Sequence, residues 1–347
     1  MTIRNPIIII GGGLAGLTLG IGLRRQGVPA TVFETGRYPR HRVCGEFVSG
    51  RGQPVLERLG LLELFIDAGA IPAKTASFYS AKMKSPTRLL KPPALCLSRF
   101  KMDALLAAKF QDLGGELREG ERAPRFDPCE HVVHASGRRV RPVDQGWRWF
   151  GLKVHARDVV MEADLEMHVT ANGYVGLCRL TGGVVNVCGL FRSRPGMEAF
   201  GAQRTSLLSG TPGTPLYDRL VAATFDETSF CSVAGLSLRP KRSMDLDECC
   251  IGDALTMIPP VTGNGMSMAF ESAEMAIAVL TDFHRGELSW SEARAALAIA
   301  SDKTFRRRLA WASLLQWMMF TPVFRGSLAT AALHAGWLWR LMFSRTR

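Results

Sequence analysis

Ile7-Ile8-Ile9-Ile10-Gly11-Gly12-Gly13-Leu14-Ala15-Gly16 is the stretch whose reading decides the fold. Four consecutive isoleucines are too few for a helix and rich in β-branched side chains, so they read as a buried parallel strand. The glycines that follow have the G-x-G-x-x-G spacing. Gly11 suits the tight turn, Gly13 a close approach of the backbone to a pyrophosphate, and Gly16 the close packing of helix on strand. The spacing predicts a helix over 14–26, with Gly27 as its stop and a second strand over 28–33. Glu34, at the tip of that strand, is placed to accept hydrogen bonds from both hydroxyls of an adenosine ribose. Up to this point FAD and NAD both qualify.

A second segment separates them. Cys249-Cys-Ile-Gly252-Asp253-Ala254 is followed by Pro259-Pro260-Val-Thr-Gly263-Asn264-Gly265. It resembles the motif of FAD-dependent hydroxylases and reductases in which a strand ends in Gly-Asp and a proline-glycine turn opens a long helix. The resemblance implies FAD as cofactor, Asp253 on the ribityl chain, and the amides of Gly263, Asn264 and Gly265 facing the flavin ring. A helix amino terminus offers free N–H donors and a positive dipole end to a reduced, anionic flavin. The following helix is expected to bury Ala269, Ala273, Ala276, Ile277 and Leu280. Arg99, opening a helix that runs to Gly114, resembles the family's diphosphate-contacting arginine, with a solvent-facing helix-start arginine as the alternative. Val132-Val-His-Ala135-Ser136-Gly137-Arg138 is similar to a third signature, a strand leaving the cofactor. The superfamily so implied includes para-hydroxybenzoate hydroxylase-like monooxygenases, geranylgeranyl reductases and flavin-dependent halogenases.

The branch is read from Tyr38-Pro39-Arg40-His41-Arg42-Val43-Cys44-Gly45-Glu46-Phe-Val-Ser49. It is similar to the Pro-Arg…Cys-Gly-Glu…Ser loop of geranylgeranyl reductase-like proteins, the closest branch, and to the Pro-Arg…Gly-Glu-Ser loop of halogenases, which in those relatives passes beside the isoalloxazine. The resemblance therefore places Arg42, Cys44, Gly45 and Glu46 near the flavin, with an Arg42–Glu46 ion pair as the plainer alternative. Three departures bear on the chemistry. Ser136-Gly137 stands where hydroxylases that take electrons directly from NAD(P)H carry Asp-Gly. No lysine matches the halogenases' catalytic one, and their Trp-x-Trp-x-Ile-Pro segment is missing. Of the reductases' Tyr-x-Trp-x-Phe-Pro strand only Tyr174 survives, and Gly176 opens space where an indole would stand.

The expected fold is α/β: a Rossmann-like FAD-binding domain, discontinuous over 1–75, 99–145 and 240–300, an inserted antiparallel β-sheet substrate domain over 76–98 and 146–239, and a carboxy-terminal helical segment over 301–347. Three β-rich runs are expected, 150–156, 159–169 and 173–191, the last broken at Thr181-Gly-Gly183. Lys153 and His155, two apart on a strand, share a face and can act as acid and base if it lines the cavity. Cys44, Lys153, His155 and Pro260 are the candidate catalytic residues. Pro260 matches the paired prolines that flank substrate and flavin in hydroxylases, and fixing the turn is its alternative role.

Hydrophobic residues make up 47% and charged residues 21%, ordinary globular usage that excludes a disordered chain. Eight cysteines form no C-x-x-C pair, which argues for reduced thiols, no metal site and a cytoplasmic location. Of the +12 formal charge, seven arginines lie in 305–347, which holds no acid. No nucleic-acid-binding signature accompanies the charge, so nucleic acid is excluded as a partner. The aromatic, basic tail is too short in uncharged sequence to span a bilayer, and peripheral membrane contact through 305–347 is the alternative to packing on the FAD domain. The sequence points to a monooxygenase of secondary metabolism acting on a small hydrophobic aromatic or polyketide-like molecule. NAD(P)H, a separate flavin reductase or another donor would supply its electrons. A reductase of isoprenoid double bonds and a non-enzymatic lipid-binding or membrane adaptor are the alternatives.

Overall fold

A computed structural model describes residues 5–80, 83–126, 131–138, 140, 143–144, 146–194, 204–321 and 334–336. The four isoleucines do form a strand, Ile7–Ile10, in a five-stranded sheet whose order is Cys249–Cys250, Val132–His134, Ile7–Ile10, Ala30–Glu34, Glu116–Glu119. Every neighbour in it pairs in parallel. The helix Leu14–Arg25 lies on the strands Ile7–Ile10 and Ala30–Glu34 and packs against the helices Arg99–Asp112 and Gly265–Arg285. Ile7, Ile9, Leu17, Leu19, Phe110, Phe270 and Ala276 make the centre of that core. The carboxyl ends of the parallel strands, where such sheets bind ligands, carry Gly11, Glu34 and Ala135.

The second sheet has nine strands and is antiparallel except where Leu165–Thr170 runs parallel to Ile71–Ser80. Its central strands are Arg148–Arg157, Val185–Ser193, Gly173–Arg179 and Leu165–Thr170. The glycine pair at 182–183 turns the chain between two of them, both residues adopting positive φ. The run expected from 159 begins only at Leu165. Asp158 takes a left-handed conformation, φ 59°, and Val160 lies two-thirds exposed, so the apolar pair Val159-Val160 belongs to a bend. One face of this sheet packs on the helices Arg204–Ser209 and Pro215–Leu220, and the other faces the first sheet's loops.

The helix Trp290–Phe320 follows the cofactor-domain helix, started by a Ser289/Glu292 capping box. Arg308, counted above with the basic tail, is buried and forks onto Glu271 at 2.7 and 3.0 Å. The tail's positive face is thus smaller than its composition suggests. Trp337, Trp339 and Phe343, on which the membrane alternative partly rests, lie outside the described residues. Among the described residues no helix is long and apolar enough to cross a membrane.

Candidate functional site

The strand-turn-helix unit comes first. Gly11 has φ 112° and lies so close to Ala135 that a β-carbon would collide with its carbonyl, while a β-carbon on Gly16 would collide with the carbonyl of Gly11. At Gly13, by contrast, a β-carbon would meet nothing within 4 Å. Gly13 caps the helix without a side-chain bond, and no acid lies in the first turn. The open space at Gly13 adjoins the first turn, whose N–H groups have no intrahelical partner, as an approaching pyrophosphate requires.

Glu34 ends its strand nearly buried, 5% exposed, and takes N–H bonds from Gly12 (3.1 Å) and Gly36 (2.9 Å). Arg40 and Arg42 also reach it, at 2.6 and 3.1 Å. Burial pushes its carboxyl up, but Gly36, Arg42 and Arg40 together hold it below the usual carboxylate range. Tyr38 donates its hydroxyl to the Gly12 carbonyl. Arg42 continues to Asp103 at 2.9 Å rather than to Glu46, so the Arg42–Glu46 pair of the alternative reading does not form. Asp103 also receives both ends of the Arg99 guanidinium, at 2.8 and 2.9 Å. Arg99 is 12% exposed in its side chain and is not the solvent-facing residue of the alternative reading.

Asp253 follows the Cys249–Cys250 strand. Burial pushes its carboxyl upward, against the pull of Arg138 and Arg99. Pro260 opens a short turn closed by Gly263 at φ 64°, and Asn264 caps the Gly265–Arg285 helix without a side-chain bond. Ser49 donates to the Gly263 carbonyl at 3.1 Å and lies 3.2 Å from Asn264 Oδ1. The 42–49 loop thus runs from Glu34, through Arg42, to the second glycine turn, through Ser49. It joins the two ends of the glycine-lined track.

The middle of that loop meets the second sheet. Glu46 is fully buried with φ 60°, a left-handed conformation that a non-glycine residue adopts only when its surroundings impose it. Its Oε1 accepts the Arg99 backbone N–H at 2.9 Å, and its Oε2 lies 2.7 Å from His155 Nε2. Lys153, also fully buried, puts Nζ 3.7 Å from Glu46 Oε1 and 2.9 Å from His41 Nδ1. Lys153 and His155 do share a face, as their spacing requires, and it is the face turned to the loop. His41 stacks on Phe100 and meets His155 edge-on. Burial, then the Lys153 charge, pushes the His41 imidazole down to about 4, so it is neutral and its Nδ1 accepts from the ammonium. Cys44 lies beside this group: Asn186 donates to its carbonyl at 2.9 Å, and burial pushes its thiol up, which keeps it protonated.

His41, Glu46 and His155 offer ligand atoms within 4.8 Å of one another, a spacing compatible with a metal ion. The Lys153 ammonium already supplies the positive charge at that point, and a cation would have to displace it. Acid–base chemistry suits the group better: one carboxylate, one ammonium and two imidazoles held in a dry, hydrogen-bonded chain. Sequence reasoning had named Lys153, His155 and Glu46 separately and missed His41 and Asp103. Asp103 carried a usable signal, four residues after Arg99 on one helix face.

Residues 4–145 match the model of the FAD binding domain family. Solved structures of similar fold include a flavin-dependent brominase, Bmp2, at 17% identity, covering 99% of this chain and 93% of that one with a TM-score of 0.77. The flavin-dependent halogenase CmlS follows at 18% identity, 98% and 68% coverage and 0.74. The myxobacterial chondrochloren halogenase CndH aligns at 19% identity, 99% and 90% coverage and 0.73. A search of curated proteins found no match. Residues 4–145 thus carry an FAD binding domain, and the chain shares its fold with flavin-dependent halogenases. The matched domain is one that binds FAD, which gives FAD as the cofactor. The narrower expectation of a geranylgeranyl reductase-like branch finds no support in these comparisons. The loop similarity behind it is one that halogenases partly share.

Proposed function

We propose that this flavoprotein is a monooxygenase that hydroxylates a small hydrophobic aromatic or polyketide-like molecule. The observation that carries the reading is the buried Glu46–His155–Lys153–His41 chain, set where the 42–49 loop crosses the second sheet. Bound FAD, once reduced, supplies the electrons that activate oxygen. One oxygen atom enters the substrate and the other leaves as water, so two electrons and two protons are consumed. The polypeptide has to hold the substrate, exclude water and move protons. Gly11, Gly13, Leu14, Ala15 and Gly16 would hold the pyrophosphate, Glu34 and Arg42 the adenosine end, and Arg99 the diphosphate edge by way of its Asp103-fixed guanidinium. Asp253, Pro260, Gly263, Asn264 and Gly265 would hold the ribityl and ring end. His155, hydrogen-bonded to Glu46, can take a proton from a substrate hydroxyl, and Lys153 can return one. Ser136-Gly137 in place of Asp-Gly favours a separate flavin reductase over direct use of NAD(P)H.

Halogenation is the second reading, favoured by the brominase and halogenases among the structural neighbours and by a buried lysine beside a glutamate. One experiment separates them. Purified FAD-loaded protein, supplied with a reductase, oxygen and a panel of phenolic and polyketide acceptors, is run with and without bromide, and products are weighed by mass spectrometry. Addition of one oxygen regardless of bromide supports hydroxylation. Bromide-dependent replacement of hydrogen by bromine would transfer the assignment to halogenation.

A further inference from the structure

The face of the second sheet turned away from the 42–49 loop has a cavity of its own. Side chains alternate along Leu165–Thr170. Met167 packs among Trp149, Tyr174 and Phe320 on one face, so Glu166 and His168 point to the other. There a cavity of about 370 Å³ lies between the sheet and the 210–216 connection, lined by Tyr79, His168, Thr170, Thr211, Thr214 and Leu216 among others. That is the size of a small-molecule pocket.

His168 is 2% exposed, and its ring lies flat on Tyr79, with centroids 4.4 Å apart and planes 3° from parallel. Its Nε2 bonds Glu166 Oε2 at 3.0 Å. Glu166 is itself fixed by the N–H groups of Glu162 and Ala163 and by Arg219 Nε at 3.0 Å, and Arg219 also bonds the Tyr79 hydroxyl at 2.9 Å. Burial keeps the imidazole neutral, since it pushes His168 down against the pull of Glu166. With Nε2–H spent on Glu166, Nδ1 is a bare acceptor, and it has no partner. Three groups thus fix one ring whose remaining polar atom is left unpaired beside a cavity, an arrangement that is unfavourable until a donor arrives.

We propose that this cavity is a second ligand site, taking a small uncharged molecule with an apolar body and one hydroxyl or N–H that donates to His168 Nδ1. At Nδ1 itself an anion would meet only an acceptor. Pro215 and Leu216 supply apolar wall, and the rings of Tyr79 and His168 form a stacked polar end. The site lies across the sheet from the proposed acid–base group, so it stands independently of the hydroxylase reading.

The test uses FAD-loaded protein labelled with 15N-histidine, with phenol as probe and toluene as its counterpart without a donor. Phenol is expected to move the Nδ1 resonance of one of the seven histidines, the one missing in His168→Phe. It should bind about fivefold more tightly than toluene, the ratio one neutral hydrogen bond provides. Thr211→Trp, at an exposed position on the cavity mouth, should abolish that response and leave the unliganded spectrum unchanged. Equal binding of phenol and toluene, or a response that survives Thr211→Trp, would overturn the proposal. So would a change confined to FAD absorption with the His168 signal still, or no response up to the solubility limit, which marks a water-filled void.

Discussion

Gly13 and Gly16, three residues apart, are glycines for different reasons, and substitution separates them. A methyl group on Gly16 collides with the Gly11 carbonyl, so Gly16→Ala should destabilise the fold by about 1–3 kcal/mol through overpacking. Gly13 has φ −87°, which alanine adopts freely, and nothing within 4 Å of an added β-carbon. Gly13→Ala should therefore leave apoprotein stability within about 0.5 kcal/mol while weakening FAD binding at least tenfold. Thermal unfolding of the apoprotein and titration of FAD fluorescence read the two effects; wild-type FAD affinity in Gly13→Ala would mean that the pyrophosphate does not lie there. At His41 the same logic runs through pH. Its imidazole falls from an ordinary 6.5 to about 4 on folding. Between those values the unfolded chain binds a proton that the folded chain does not, so stability present above about 6.5 is lost as pH drops toward 4. His41→Asn should reduce that slope in urea midpoints measured across the window, and an unchanged slope would mean that the ring is solvated.

At the scale of elements, the 42–49 loop and the Arg148–Arg157 strand are joined by a buried ion pair. Removing one partner strands the other, so Lys153→Met and Glu46→Gln should each cost about 3–5 kcal/mol, while the double variant should recover part of the loss. Urea unfolding of the four proteins gives the coupling; strictly additive losses would show that the two charges do not interact. This junction also marks how far sequence reading reaches. The strand-glycine-helix unit was legible because its three glycines and two strands are local, and Lys153 with His155 was legible because a strand repeats every two residues. What they meet was not. Glu46 is 109 residues from His155, and its left-handed backbone, unusual for glutamate, leaves no mark in composition. The misplaced strand at 159 failed for a related reason: β-branched Val159 and Val160 promised extension, but the backbone at Asp158 turns away first.

In the whole molecule, the Trp290–Phe320 helix bridges the two sheets. Phe305, Leu309 and Ala312 pack with Leu255, Ile258 and Met268 beside the second glycine turn. One turn of helix beyond Gln316, Phe320 enters the aromatic cluster of the other sheet, edge-on to Trp149 at 4.8 Å. The helix therefore fixes how the roof sits over the cofactor track, and its two ends should fail differently. Phe320→Ala leaves a void at a site only 5% exposed and should cost about 3–5 kcal/mol. The loss falls mainly on the Trp149 end and reaches the glycine turn only through Val261 of the same cluster, so FAD affinity should change by less than about twofold. Tryptophan emission should shift to the red as Trp147 and Trp149 loosen. Arg308→Met, about three turns earlier in the helix, leaves Glu271 of the cofactor-domain helix buried and unpaired. It should cost about as much in stability and weaken FAD binding as well. Chemical denaturation, emission spectra and FAD titration on both variants give the pattern, and equal effects on FAD affinity would mean that the two sheets respond as one rigid unit, with no division of labour along the helix.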